Sequence, residues 1–301
     1  MRVLVLGGHG FIGANASRAL LEAGHEVVTY ARRSNGRVPG TRWIEADFND
    51  AVALSAALEG IDAVVHSISA TVPSSSALDP MADINQNLIA TVTLLQAMQR
   101  SGTRKLVFLS SGGTVYGNPQ YTPVTEQHAL DPISNYGAVK VAIEKFIGVA
   151  RAAWGLQAVI LRPSNPFGVL QDISKGQGFI STVLGNLLEQ KTTQIFGDGS
   201  VVRDYVYVTD LARLVVRAVE AQVDGVFNAG SGCGHSINQV IDAVQNITGR
   251  SVPVHRLPAR GFDVREIVLD CTAAGEAFDW KPVISLERGI AMQYAWLKTQ
   301  Y

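Results

Sequence analysis

A tyrosine and a lysine stand four residues apart in Tyr136-Gly137-Ala138-Val139-Lys140. On a helix that spacing places both side chains on one face. A phenol holds its proton too tightly to serve as a base at neutral pH, and a neighbouring ammonium relieves this by stabilising the phenolate. A place near a helix N-terminus favours the negative charge further. Such a pair can take a proton from an alcohol and return it, which is general acid–base chemistry. An exposed tyrosine over an exposed lysine has the same spacing by chance, so the pair needs support from elsewhere in the chain.

That support lies at the N-terminus, in Gly7-Gly8-His9-Gly10-Phe11-Ile12-Gly13. The run Arg2 to Leu6 is apolar and β-branched, which predicts a buried parallel strand. A helical pattern follows from Phe11 to about Ala23, with Ile12, Leu20 and Leu21 on its apolar face. Gly7 permits the tight turn, Gly10 lets the backbone approach a phosphate, and Gly13 lets helix and strand pack closely. The free N–H groups of the first helical turn, at Phe11 and Ile12, then face an anion. The spacing is GxxGxxG rather than GxGxxG, so its position between a strand and a helix carries the inference. A dinucleotide's pyrophosphate is expected there, which brings a nicotinamide within reach of Tyr136 and Lys140. Lys140 is also expected to bond the nicotinamide ribose. Together these motifs predict redox chemistry at an alcohol carbon.

The form of the cofactor, NAD or NADP, turns on the end of the second strand, Glu26 to Tyr30. A carboxylate there would accept hydrogen bonds from the ribose 2′-OH and favour NAD. The chain instead has Ala31, Arg32, Arg33 and Ser34. Two guanidinium groups and no carboxylate favour a 2′-phosphate, hence NADP. The alternative is a solvated loop, with NAD held by other contacts.

Strands are predicted at Arg2–Leu6, Glu26–Tyr30, Arg42–Glu45, Ala63–His66, Lys105–Leu109 and Ala158–Leu161. Helices are predicted at Ala51–Leu58, Asp83–Arg100 and Tyr136–Trp154. Such alternation argues for an α/β fold: a Rossmann-type, doubly wound parallel sheet with helices on both faces. Ligands of such sheets bind outside the carboxyl ends of the strands, and the glycine turn, Arg32, Asp47, His66 to Ser69 and Ser110 all follow strands. After Leu161 the chain is rich in proline and glycine. A helix from Val208 to Val219, a strand from Val226 to Asn228 and a helix capped by Ser236 and running to about Ile247 are still predicted. The expected organisation is a dinucleotide-binding domain over 1–165 with returns at about 206–229. A smaller α/β C-terminal substrate lobe is expected from 166–205 and 230–301.

With 301 residues and a net charge of −1, the chain can bury a large core. It has no Lys/Arg run that points to nucleic acid or a membrane surface. No apolar run is long enough to cross a bilayer, and no signal peptide is apparent. Its two cysteines, Cys233 and Cys271, lack metal-ligand spacing and fit a reducing cytoplasm. The scattered histidines suggest no metal site.

At this point the chain resembles the extended short-chain dehydrogenase/reductase family, in its nucleotide-sugar branch of NAD-dependent epimerases and dehydratases. The resemblance spans essentially the full length. It rests on Gly7/Gly10/Gly13, Asp47-Phe48, Ser110-Ser111 before Thr114-Val115-Tyr116-Gly117, and Tyr136/Lys140. Further along it rests on Leu161-Arg162-Pro163 with Asn165 and Phe167-Gly168, Val202-Arg203-Asp204-Tyr205-Val206, Arg260 with Asp263, and Trp280-Lys281-Pro282. The resemblance implies adenine contacts at Asp47 and Phe48, and further cofactor contacts at Asn85, Ser110 and Pro163. It implies a sugar or diphosphate contact at Asn165, a diphosphate clamp from Arg203 and Arg260, and a nucleoside contact at Asp263. Two guanidinium forks suit a pyrophosphate; a salt bridge from Arg203 to Asp204 or Asp210 is the competing reading.

Two departures bear on activity. The family usually carries Ser or Thr two positions before Thr114, where a hydroxyl completes the proton relay, and this chain has Gly112. Thr114 or Ser111 is the expected substitute. Ile267 stands where relatives can carry a bulky aromatic beside the sugar pocket, and its smaller side chain would leave room for an N-acetyl group or a different ring orientation. The leading expectation is a 4-epimerase of a UDP- or dTDP-hexose, working through a 4-keto sugar and NAD or NADP. The alternative is an NADPH-dependent reductase of a nucleotide 6-deoxy-4-keto sugar, and a third is a non-catalytic NADP-binding sensor. A small-molecule nucleotide sugar is the expected partner, with a homodimer joined through Asp83–Arg100 and Tyr136–Trp154, and polysaccharide precursor synthesis the family-level role.

Overall fold

The computed structural model describes residues 1–32, 38–259 and 264–300. Its main sheet is built from β1 (Arg2–Leu6), β2 (Glu26–Ala31), β3 (Arg42–Glu45), β4 (Ala63–His66), β5 (Lys105–Leu109), β6 (Gln157–Pro163) and a last strand, Gly225–Ala229. Among the described residues these seven strands lie in the order Gly225–Ala229, β6, β5, β4, β1, β2, β3. Every pairing is parallel. The chain runs outward from β1 to β3 and then returns to the other side of β1 at β4. That reversal opens a crevice above the carboxyl ends of β1 and β4.

The apolar runs that predicted strands are buried on both faces, as a parallel sheet requires. Leu4, Leu6, Val64, Leu106 and Phe108 point to one face, where they meet Leu94, Met98, Val139 and Ile143. Val3, Val5, Val65, Val107 and Leu109 point to the other, against Leu20, Leu211, Leu214 and Val215. The first helix, α1 (Phe11–Glu22), and the Val208–Glu220 helix cover that second face.

The stretch expected to be one helix from Asp83 to Arg100 is more finely divided. A short helix, Pro80–Asp83, leads into a π-helical turn over Ile84–Ile89, and an α-helix then runs over Ala90–Ser101. A buried polar cluster sits at the wide turn. Asp83, fully buried, accepts hydrogen bonds from Thr71 Oγ1 at 2.8 Å, from Ser76 Oγ and from Asn87 Nδ2 at 2.7 Å. Asn87 Oδ1 accepts from the Ala70 amide at 2.9 Å. These buried groups are thereby satisfied at the turn, and π turns recur beside functional sites.

Beyond β6, the strand Asn165–Phe167 pairs with Val202–Tyr207, which also pairs with Gly234–Ser236 and Glu266–Ile267. The Pro- and Gly-rich stretch also contains a helix, Phe179–Leu188, and the C-terminal part adds Thr272–Phe278 and Leu286–Leu297. Val183, Leu184, Val240, Val244 and Ile290 join Phe167 and Tyr207 in a third core. No helix among the described residues is long and apolar enough to cross a membrane.

His66 ends β4 and is 1% exposed. Its ring lies between Phe48 and Phe108, with centroids at 5.0 and 5.2 Å, and its Nε2 lies 2.9 Å from Thr91 Oγ1. Burial, with the Lys140 charge as a lesser cause, lowers its pKa to about 3. The unfolded chain therefore binds the extra proton. The stabilisation is complete above about pH 6.5 and is lost as pH falls toward 3. Between pH 7 and pH 5 this residue alone should remove about 2 kcal/mol of stability. Urea titrations at the two pH values should show that loss in the native protein and a smaller one in His66→Gln.

Candidate active site

The glycine turn has the shape its sequence demands. Gly7 sits at φ +79°, and a Cβ on Gly13 would lie 2.1 Å from the Gly7 carbonyl oxygen. Only glycine at both positions lets α1 start this close to β1. Gly10 lies at the N-cap, and its carbonyl accepts the Ala14 amide at 2.8 Å. The first amides of α1 therefore point into the crevice with no side-chain cap to satisfy them, which leaves a seat for an anion.

Three cavities follow one another along the carboxyl edge of the sheet. The first, about 200 Å³, is lined by Tyr30, Asp47, Phe48 and Gln86 as well as by Gly7 and Gly10. The second, about 890 Å³, runs from Arg32 and His9 across Gly10, Phe11, Ile12 and Gly13 to Tyr136. The third, about 500 Å³, is lined by Asn165, Arg203, Phe179 and Tyr205. Phe11 and Gln171 border both the second and the third, so the two are adjacent. Asn165 is held by its Nδ2 donating to the Asp204 carbonyl at 3.0 Å.

The Tyr136–Lys140 pair lies on the Asn135–Trp154 helix, whose N-cap Ser134 accepts the Gly137 amide at 3.2 Å. Tyr136 occupies the first turn, as its proposed role requires, and its side chain reaches the main cleft. Lys140 is buried, donates from Nζ to the Leu109 carbonyl at 3.0 Å, and stands 5.7 Å from the Tyr136 ring centroid. The ammonium is thus anchored by the end of β5 and keeps its remaining protons for other partners. Burial raises the phenols of Tyr116 and Tyr205 to about 12 each, so neither yields a base at neutral pH.

One more turn along the same helix, Glu144 faces the interior. It takes Arg162 in a two-pronged pair, Nη2 to Oε2 at 2.6 Å and Nε to Oε1 at 3.1 Å, and also accepts from Ser110 Oγ. Arg162 Nη1 donates to Tyr116 Oη at 2.9 Å, and Tyr116 donates to Asn228 Oδ1 at 2.6 Å.

Several expected site residues lie elsewhere. Asn85 is exposed on the π turn, whereas Gln86 lines the first cavity and Asn87 is buried beneath Ala70. Ser110 spends its hydroxyl on Glu144. Pro163 is buried and accepts the Gly112 amide at 2.8 Å. Ile267 is 1% exposed, in an apolar cluster with Val115, Tyr116 and Leu269. Arg33, Arg260 and Asp263 lie outside the described residues. The acids that competed for Arg203 are engaged elsewhere. Asp210 holds Arg213 at 2.7 Å and the amides of Val283 and Ile284; Asp204 accepts from Ser164, Ser231, Gly232 and Leu269. Residues not singled out in the sequence, Thr71, Gln171, Phe179 and Tyr205, also line the cavities. Of these only Tyr205 had a local signal, being part of the Val202–Val206 motif.

Residues 3–230 match the model of the NAD dependent epimerase/dehydratase family. The chain belongs to this family. It is similar to the UDP-glucose 4-epimerase of Mycolicibacterium smegmatis, with 35% identity, covering 97% of this chain and 96% of that protein. The Thermotoga maritima UDP-glucose 4-epimerase solved with UDP-glucose superposes with a TM-score of 0.95 at 32% identity, over 100% of this chain and 99% of that one. The Thermus thermophilus UDP-glucose 4-epimerase in complex with NAD gives 0.94 at 31% identity, over 100% of both chains.

Within the family frame, Gly112 has a steric explanation. A Cβ there would lie 2.6 Å from Leu269 Cδ1 and 2.8 Å from the Arg162 carbonyl oxygen. The loop after β5 is pressed against the end of β6, and no side chain fits between them. Thr114 Oγ1 is buried and, among the described residues, lacks a hydrogen-bond partner. Ser111 is partly exposed, and its carbonyl caps the turn by accepting the Thr114 and Val115 amides. Installing the missing hydroxyl as Gly112→Ser should therefore overpack the loop and cost about 1–3 kcal/mol, read as a lower urea midpoint with no gain in turnover.

Proposed function

We propose that the protein is a nucleotide-sugar 4-epimerase acting on a UDP-hexose through a 4-keto intermediate. The observation that carries this reading is the adjacency of the two cavities. The glycine turn and Tyr136 line one cavity, and Phe11, which lines it too, also borders the cavity bearing Asn165 and Arg203. The relatives' 4-epimerase names support this over reduction of a 4-keto sugar. The uridine diphosphate belongs in the third cavity, with Arg203 and, from outside the described residues, Arg260 as its charge partners.

Gly7, Gly10 and Gly13 with the first amides of α1 would seat the pyrophosphate of NAD or NADP, and Asp47 and Phe48 would flank its adenine. When bound, the nicotinamide would supply the hydride acceptance and return that oxidation and re-reduction at the sugar C4 require. Tyr136 Oη accepts the proton of the C4 hydroxyl as the ketone forms, and returns it after the sugar has turned over. Lys140 supplies positive charge beside the phenol and is fixed in place by the Leu109 carbonyl. Thr114 or Ser111 takes the relay position that Gly112 leaves without a hydroxyl. The clamp on the diphosphate must hold while the sugar swings, so binding and rotation fall to different residues.

Ile89, Phe146 and Val149, each about half exposed or more, form an apolar surface on the two helical segments expected at a subunit interface. They support a homodimer, and two free cysteines support a cytoplasmic setting. Sedimentation should give the mass of a dimer in the native protein and that of a monomer in Val149→Glu.

Incubation with UDP- and dTDP-hexoses, followed by NMR of the sugars, should show the 4-epimer of at least one UDP-hexose. Absence of any 4-epimer, or stoichiometric loss of NADPH in its place, would sink this assignment. Tyr136→Phe should lower turnover by about 10²–10⁴-fold while leaving nucleotide-sugar affinity within a few-fold.

A further inference from the structure

The end of β2 is where a sheet of this topology meets the adenosine ribose, and a carboxylate there ordinarily receives the ribose hydroxyls of NAD. Here β2 ends on Ala31, which offers no acceptor, and Arg32 follows. Both residues line the adenine-end cavity and the main cleft, so they stand at the junction that the ribose must cross. Arg32 is exposed, and among the described residues it forms no ion pair.

The acids of the neighbouring segment do not take the missing role. Glu45 is opposite Ala31 in the strand register but lines neither cavity. Asp47 does line the adenine end, and its Oδ1 accepts the amide and Nδ2 of Asn49 at 2.8 and 3.0 Å. The third residue of the glycine turn, His9, borders the same side of the cleft with its ring 5.9 Å from Trp43. The ribose end of the groove is thus bordered by a guanidinium and an imidazole.

We propose that this junction is a phosphate-monoester subsite, so that the chain takes NADP in preference to NAD, with Arg32 as the residue that sets the preference. The proposal rests on the reading of the crevice as a dinucleotide seat. A 2′-phosphate carries nearly two negative charges at neutral pH, and the planar guanidinium fork matches two of its oxygens. Without a carboxylate at position 31 the phosphate is spared repulsion from the strand end, and the bare 2′-OH of NAD loses the acceptor usual there. The nicotinamide is the same in both coenzymes, and an epimerase returns it unchanged, so this preference is compatible with either reaction direction.

Purified full-length protein, freed of any retained nucleotide, is titrated calorimetrically with NADP⁺ and with NAD⁺. NADP⁺ should bind at least about tenfold tighter, and the margin should shrink as salt rises. Arg32→Ala should bring NADP⁺ affinity down toward that of NAD⁺, and Ala31→Asp should reverse the order. Equal or tighter binding of NAD⁺ by the native protein overturns the subsite and leaves the dinucleotide seat standing. So does an unchanged preference in Arg32→Ala. Failure of both nucleotides to bind removes the seat and the subsite together.

Discussion

The buried pair of Arg162 and Glu144 ties together most of what surrounds Tyr136 and Lys140. Arg162 comes from β6, Glu144 from the helix that carries Tyr136 and Lys140, Ser110 from the loop after β5, and Tyr116 from the turn beyond it. Both charged side chains are 4% exposed. Such a pair gains little over a well-packed apolar alternative, yet losing one partner leaves an uncompensated charge in the interior. Its consequence here is geometric. The helix cannot rotate or slide along β6 without breaking bonds that have no substitute in water, so Lys140 keeps its place on the Leu109 carbonyl and Tyr136 keeps its place at the mouth of the cleft.

A second buried carboxylate does the same for the other half of the cleft. Asp204 sits next to Arg203 and gathers donors from Ser164, Ser231, Gly232 and Leu269. These residues come from the ends of β6 and Gly225–Ala229 and from the segment after Glu266–Ile267. Burial raises the Asp204 carboxyl pKa, and the hydrogen bonds of Ser231, Leu269 and Gly232 oppose that rise. The strand bearing Arg203 and Tyr205 is thereby fastened to the main sheet, and Leu269 is pressed toward Gly112. The absence of a side chain at residue 112 and the fastening of the smaller sheet are then two aspects of one tight packing.

Much of the fold was legible because a parallel sheet leaves a strong trace: short apolar runs, each followed by a turn and an amphipathic helix. All six early strands lie within two residues of where periodicity put them. The segments that escaped, Phe179–Leu188, Thr193–Phe196 and Leu286–Leu297, lie where prolines and glycines punctuate the chain or where a short strand has one partner only. Their formation depends on burial against Tyr205, Tyr207 and Val240, which no local window contains. The asparagine under the cofactor cleft shows the limit sharply. Asn85 and Asn87 look alike in the sequence, and only the fold shows that Asn87 is the one buried on Asp83 while Asn85 is exposed.

The chain alone determined which chemistry was available: glycines where only glycine can turn, a tyrosine one helical turn from a lysine, and arginines suited to phosphate. These follow from local stereochemistry and the ionisation of side chains, which a sequence carries in full. Tertiary structure decided which hydroxyls and carboxylates were free to use that chemistry. Ser110 is claimed by Glu144, Asp210 by Arg213 and two amides, and residue 112 is crowded by Leu269. Those outcomes are set by partners dozens of residues away, because a buried polar group or a buried volume is satisfied or forbidden only by what the fold brings against it.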